Sequence, residues 1–234
     1  MFLILQFTFL DNDKTVQYGI ANAPKRPCDE MHQGKCPVVL ALHGAGSKAE
    51  YLAPFIEPQE LAWVITPSGR RRFGLDWTGV QFTSALRALE VFPTTLSPAL
   101  NESFVPHLKR ILFIGHSMGG QGCYHMATHF ADHALAVLCA AGWTRFDQYT
   151  PFYARTGLSF TEPQLRGILE SSIIDEYNDL FLQNLKGIPF MVRFGSRDDD
   201  VSPWFPRRMA RLYDQIHGKP NQAIISEVLN AGHW

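Results

Sequence analysis

The chain has 234 residues, 46% of them hydrophobic, a formal net charge of -1 and four cysteines. That length suits one domain with a large core, and the near balance of charge excludes electrostatic capture of nucleic acid or an anionic membrane as its organising function. The apolar start over residues 1–10 is far shorter than the roughly 20 residues that span a bilayer, and Gln6 and Thr8 give it the alternation of a strand rather than the profile of a signal peptide.

Asp11-Asn12-Asp13 separates the apolar run 3–10 from 15–21, which reads as an antiparallel hairpin. A loop follows in which Cys28 and Cys36 flank a polar segment, where a bridge is geometrically easy and a free pair is the alternative. Strand 38–42 then runs into His43-Gly44-Ala45-Gly46. A small-residue loop after a buried strand can turn a backbone N-H toward a reacting carbonyl; Ala45 is the expected donor, Gly44 the near alternative, and His43 a structural residue fixing the loop. Ser47 and Glu50 stand in capping-box spacing for a short helix. Strand 61–66 comes next, then a loop carrying Arg70-Arg71-Arg72, expected to be solvated surface, and Trp77. Phe82, Leu86, Leu89 and Phe92 mark a helix from about 80 to 91, and 93–106 reads as a polar connection.

Strand 111–114 leads into Gly115-His116-Ser117-Met118-Gly119-Gly120 and a helix to about 130. A serine flanked by small residues between strand and helix is the strand-turn-helix context that exposes a nucleophile. The N-H of Met118, the next residue, would supply a second donor to the oxyanion. On that helix His125, His129 and His133 recur every fourth position, but no Glu follows His125, so the metalloprotease pattern fails and no metal is expected. Cys123 and Cys139 fall in a helix and a strand and read as core packing. Trp77 and Trp143, near strand C-terminal ends, are expected to line an apolar substrate pocket.

After strand 135–140 the alternation of strand and helix stops over 143–185, where Thr161-Glu162-Pro163 looks like a helix start; this stretch reads as a small helical lid or cap. Strand 188–194 precedes Gly195-Ser196-Arg197-Asp198, and strand 223–229 precedes Gly232-His233. The order serine, acid, histidine belongs to the α/β-hydrolases, with Ser117 as nucleophile, an aspartate of the run Asp198-Asp199-Asp200 as orienting acid and His233 as base. The fold expected is α/β: a mostly parallel twisted sheet, an antiparallel N-terminal hairpin, helices on both faces and a helical insertion after the sixth strand. A member of this fold is expected to continue into a final helix after His233, and a module cut short of it is expected to expose apolar sheet surface.

With these motifs in place, the chain resembles the catalytic domain of the prolyl oligopeptidase family, a serine peptidase branch of the α/β-hydrolases. The marks are His43-Gly44, Gly115-His116-Ser117-Met118-Gly119-Gly120, Gly195-Ser196-Arg197-Asp198 with Val201, and Gly232-His233-Trp234. The resemblance assigns the acid to Asp198, with Asp199 and Asp200 as loop neighbours. It implies hydrolysis of a peptide or ester bond through an acyl-enzyme on Ser117 without a cofactor. A carboxylesterase is the alternative, favoured by His116 and the lack of a propeller domain, and a non-catalytic module on a degenerate hydrolase fold is the third reading. The substrate implied is a small ester or peptide, and any further domain would lie outside these residues. The cysteine pair at Cys28 and Cys36 and the sequon Asn101-Glu102-Ser103 lean toward a secreted or lumenal setting.

Overall fold

The computed structural model describes residues 3–28, 34–72, 77–98, 100, 104–150 and 160–233. The Asn101 sequon, Trp234 and part of the stretch expected to form a lid lie outside them. Eight strands form one sheet: β1 (Ile4–Leu10), β2 (Val16–Asn22), β3 (Lys35–Leu42), β4 (Trp63–Pro67), β5 (Val105–His116), β6 (Ala134–Ala140), β7 (Phe190–Gly195) and β8 (Ile224–Val228), in the order β1-β2-β4-β3-β5-β6-β7-β8. The β1–β2 hairpin joins β4 antiparallel, and every other pairing is parallel. β3 and β5 are central, so the loops after them meet over the middle of the sheet, where α/β folds build their sites.

Alternation along the strands decides which face is dry. In β5, Ile111 and Phe113 are buried while Leu112 and Ile114 are only half-buried. The buried set packs against α2 (Gly79–Thr95), α3 (Met118–His129) and α6 (Trp204–His217). The opposite face is covered by α1 (Ala49–Leu52) and the 3-10 turn Ala53–Phe55 over Val39, Ala41 and Val64. Beyond α1 the same face carries half-buried Leu138 and Met191 and exposed Ile224.

Between β6 and β7 lie α4 (Phe146–Tyr149), α5 (Pro163–Ile173) and 3-10 turns at Ile174–Glu176 and Leu182–Leu185. α5 begins with Glu162 as N-cap, its carboxylate accepting from Leu165 N, and Pro163 at N1. None of its residues is buried. The segment is tied down farther along by Asp179, which takes Arg145 Nε at 2.7 Å and Arg208 Nη2 of α6 at 2.8 Å. Those two guanidiniums hold the Asp179 carboxyl below its ordinary range against the opposing effect of burial.

Several expectations are corrected. The capping box at Ser47 and Glu50 does not form: Lys48 is the N-cap of α1, and the Glu50 carboxylate accepts from Tyr18 Oη instead. α2 runs through Pro93, which gives up one i→i−4 hydrogen bond two residues before the helix ends, and β5 starts at Val105, within the stretch expected to be a polar connection. α6, not anticipated, is strongly amphipathic, burying Phe205, Met209, Ala210 and Tyr213.

Cys28 and Cys36 are bridged, with Cα atoms 5.3 Å apart. Cys123 and Cys139, expected as core packing alone, are also bridged, with Cα atoms 5.7 Å apart, joining α3 to β6 within the core. Closing a loop of this size contributes about 2–3 kcal/mol in the chain-entropy account. Thiol titration of the denatured, unreduced protein is therefore expected to find no reactive thiol, and reduction to release all four; two thiols before reduction would contradict one bridge.

Candidate active site

Ser117 stands between β5 and α3 with φ 59° and ψ -122°, a conformation that costs a residue with a side chain about 1–3 kcal/mol. The surroundings hold it there. Its N-H donates to Ala140 O at 2.9 Å, and its carbonyl accepts from Gln121 N at 3.0 Å. A Cβ at Gly115 would stand 2.0 Å from Gly119 O, and one at Gly119 would stand 1.9 Å from Leu42 O. The glycine spacing of the hexapeptide is thus a packing demand: β3, β5 and α3 approach too closely for any side chain there.

His233 Nε2 lies 2.8 Å from Ser117 Oγ, and His233 Nδ1 lies 2.8 Å from Asp198 Oδ2. The second carboxylate oxygen, Oδ1, accepts from Val201 N at 2.8 Å and Asp200 N at 3.0 Å. Those bonds fix the carboxylate, so with Nδ1-H donating to Asp198 the imidazole presents its Nε2 lone pair to the serine hydroxyl. The Asp198 side chain is fully buried and that of His233 only 6% exposed, so the pair is shielded from water. Asp199 and Asp200 are exposed, and Asp200 contributes only its backbone N-H to this arrangement.

Two loops must dock for this geometry to exist. Ser196 N donates to Val228 O at 3.0 Å, Arg197 N to Ala231 O at 2.9 Å, and Asn230 N to Ser196 Oγ at 2.8 Å. Gly195 permits it, since a Cβ there would stand 2.2 Å from Gly232 O. His116 adds a contact that sequence reasoning missed. Its Nε2 donates to His233 O at 2.8 Å, and the two rings lie 4.7 Å apart. Burial, first among its influences, lowers the His116 pKa. A backbone carbonyl only accepts, so in neutral His116 the proton sits on Nε2. Its position before the serine was the only signal in the sequence.

The loop after β3 lies against the elbow: a Cβ at Gly44 would come within 3.2 Å of Ser117 Cβ. Met118 is buried at the first position of α3, where the N-H groups are free of intrahelical partners, and Ala45 is exposed on the loop. The ring nitrogens of His43 lie 3.0 Å from Gly44 O and 3.0 Å from Ser68 O. A cavity of about 610 Å³ opens beside the site, with His116, His233, Tyr51, Leu52, Phe55 and Phe194 in its wall. Neither Ser117 nor Asp198 lines it, which places it behind the imidazole rather than over the serine.

The two tryptophans expected in a pocket wall are not in the lining of this cavity. Trp77 is wholly buried, its indole N-H donating to His43 O at 2.9 Å, and it fills the space beside Gly122. Trp143, also buried, stacks on Tyr149 with ring centroids 4.0 Å apart. Strand-end tryptophans are as useful for supporting loops as for meeting ligands, and here they support loops. Arg70 likewise binds Asp11 and Asp13 of the hairpin, and its guanidinium holds the Asp13 carboxyl well below the ordinary carboxylate range. His125 and His129 share a face of α3, and His133 stands apart from them beside Asp132.

The parallel sheet, the elbow after β5, the acid after β7 and the histidine after β8 together make an α/β-hydrolase fold. No protein-family model matches the chain. It is 28% identical over 241 residues to a protein of Arthroderma benhamiae described as an uncharacterized secreted protein, a match covering 99% of this chain and 25% of the relative. Among solved structures it superposes on the acylaminoacyl peptidase of Pyrococcus horikoshii with a TM-score of 0.70 at 16% identity, over 99% of this chain and 38% of that one. It superposes on an S-formylglutathione hydrolase from Agrobacterium tumefaciens with a TM-score of 0.63 at 14% identity, over 100% of this chain and 89% of that one. At such identities the likeness is one of fold. The chain spans about a quarter of the curated relative it matches.

Proposed function

We propose that this chain is the catalytic domain of a serine hydrolase that cleaves a peptide or ester bond through an acyl-enzyme on Ser117, in the manner of the prolyl oligopeptidase-type peptidases. The observation that carries the reading is the continuous line Ser117 Oγ, His233 Nε2, His233 Nδ1 and Asp198 Oδ2, with both links 2.8 Å. Ser117 Oγ attacks the carbonyl carbon as its proton passes to His233 Nε2; the negative charge collects on the carbonyl oxygen. The N-H groups of Met118 and Ala45 stabilise that oxygen. His233 then returns the proton to the departing amine or alcohol, and water repeats the sequence on the acyl-enzyme. Asp198 keeps the imidazole in the productive tautomer and stabilises its cation. His116, bonded to the His233 carbonyl, positions the base. No step draws on a metal or an organic cofactor.

Asp198→Asn tests the tautomer argument. The amide oxygen can keep the bonds from Val201 and Asp200, but its NH₂ faces Nδ1 and forces the wrong tautomer. Turnover is expected to fall about 10⁴-fold with the melting temperature nearly unchanged. Turnover within a few-fold of wild type would remove Asp198 from the mechanism.

An ester hydrolase is the second reading, favoured by the match to S-formylglutathione hydrolase over 89% of that chain. Comparing a proline-containing peptide amide with short-chain aryl esters separates the two. Cleavage of the amide supports the peptidase, and aryl ester turnover with the amide untouched assigns an esterase. The two bridges suit an oxidising compartment, and the similar Arthroderma protein is described as secreted; extracellular action is part of the proposal. So is a single domain over residues 1–234 whose segment 143–185 caps the site.

A further inference from the structure

On the far half of α3, away from Ser117, His125, His129 and Asp175 each offer one donor atom within 4.8 Å of the others. Asp175 comes from the 3-10 turn Ile174–Glu176, 46 residues beyond His129, which is why a helix-spacing pattern could not find it. Nothing in the proposed hydrolysis uses these groups. His125 stands eight residues along the helix from Ser117, about 12 Å at 1.5 Å per residue.

The hydrogen bonding of His129 leaves a gap. Its Nδ1 lies 2.8 Å from His125 O, a carbonyl that only accepts, so Nδ1 carries the proton. In the neutral ring Nε2 then presents a lone pair, and it points at Asp175 Oδ1 only 3.0 Å away. Two electron pairs facing one another need a positive centre between them, which either a proton on Nε2 or a metal ion supplies. His125 adds a second sign: it is 3% exposed, and its buried Nδ1 makes no hydrogen bond of good geometry among the described residues. Beside it the wholly buried side-chain amide of Asn178 approaches the ring without a hydrogen bond of good geometry among the described residues. The polar atoms are held in place by Phe82, whose ring packs edge-on against both imidazoles, and by Phe181 on the other side of His129.

We propose that His125, His129 and Asp175 bind a divalent transition-metal ion of the zinc class, which pins the segment between β6 and β7 to the nucleophile helix. Two imidazoles and a carboxylate are a borderline-soft donor set that suits zinc. Donors at ordinary zinc bond lengths sit about 3.3 Å apart, so the existing spread needs only a small contraction, and the exposed Asp175 is free to supply it. The His129 Nδ1 bond to His125 O is the kind of outer contact that fixes the tautomer of a ligating histidine.

The test is calorimetric titration of the full chain, stripped with chelator, with zinc chloride, and in parallel with cobalt chloride followed by visible absorption. Saturable binding of one ion per chain is expected, with a cobalt spectrum typical of a nitrogen and oxygen site. His129→Gln and Asp175→Asn, both at accessible positions, are each expected to weaken binding by about 10-fold or more, and zinc should raise the melting temperature of wild type but not of the variants. Fluorophosphonate labelling at Ser117 should be unchanged in both, which separates this proposal from the catalytic one. Absence of saturable binding would overturn it, as would binding that both variants leave intact, since the ion would then lie elsewhere.

Discussion

His233→Ala is expected to lower kcat/KM by about 10⁵- to 10⁶-fold, as much as Ser117→Ala, and the double variant no further. The non-additivity follows from the geometry. Ser117 Oγ is a weak nucleophile until Nε2, 2.8 Å away, removes its proton, so either deletion disables the same step. The fold should not suffer. The His233 carbonyl that His116 binds is retained in alanine, and the chain before it is held by the backbone bonds from Ser196, Arg197 and Asn230. Asp198 keeps its bonds from Val201 and Asp200. A melting temperature near wild type with residual turnover is therefore the expected signature, checked by steady-state kinetics on an aryl ester beside a thermal melt. An effect under about 100-fold would mean the histidine is not the base.

Gly119→Ala is expected to have the largest effect on stability. The added Cβ would stand 1.9 Å from Leu42 O and 2.9 Å from His43 O, and both obstacles are backbone. No rotamer change relieves that contact. Either α3 lifts from β3, opening the core beneath Met118, or the loop after β3 is displaced. Overpacking against movable side chains costs about 1–3 kcal/mol, and rigid backbone should cost more. We expect about 4 kcal/mol or more, a melting temperature lower by roughly 10 °C or more, and loss of activity with it. Gly167→Ala is the internal contrast. Gly167 lies within α5 with nothing within 4 Å of the added Cβ, so the change should stabilise by about 0.5–1 kcal/mol. Equal effects at the two glycines would refute the packing account.

What could be read from the sequence follows from what each signal depends on. The elbow was legible because glycines are required at fixed offsets from the serine, and the acid and histidine because chain order in this fold sets which strand end carries each. The structure brings Ser117, Asp198 and His233 into one hydrogen-bonded line. Contacts between loops distant in sequence were not legible. Neither the His116 clamp on the His233 carbonyl, 117 residues apart, nor the addition of Asp175 to His129 leaves a local pattern. Trp77 and Trp143 were misplaced because proximity to a strand end does not tell which way an indole turns. The Cys123–Cys139 bridge was missed because burial in a helix and a strand describes a free core cysteine equally well. α6 was legible and overlooked: Phe205, Met209 and Tyr213 recur every fourth residue among arginines.

The central claim, that Ser117 is an activated acyl acceptor, is tested most directly by reacting the folded chain with a fluorophosphonate and locating the adduct by peptide mass spectrometry. The account predicts one phosphonylated site, on Ser117, abolished in Ser117→Ala and strongly slowed in His233→Ala. Folded protein that stays unlabelled, or an adduct on another residue with Ser117 unmodified, would contradict it.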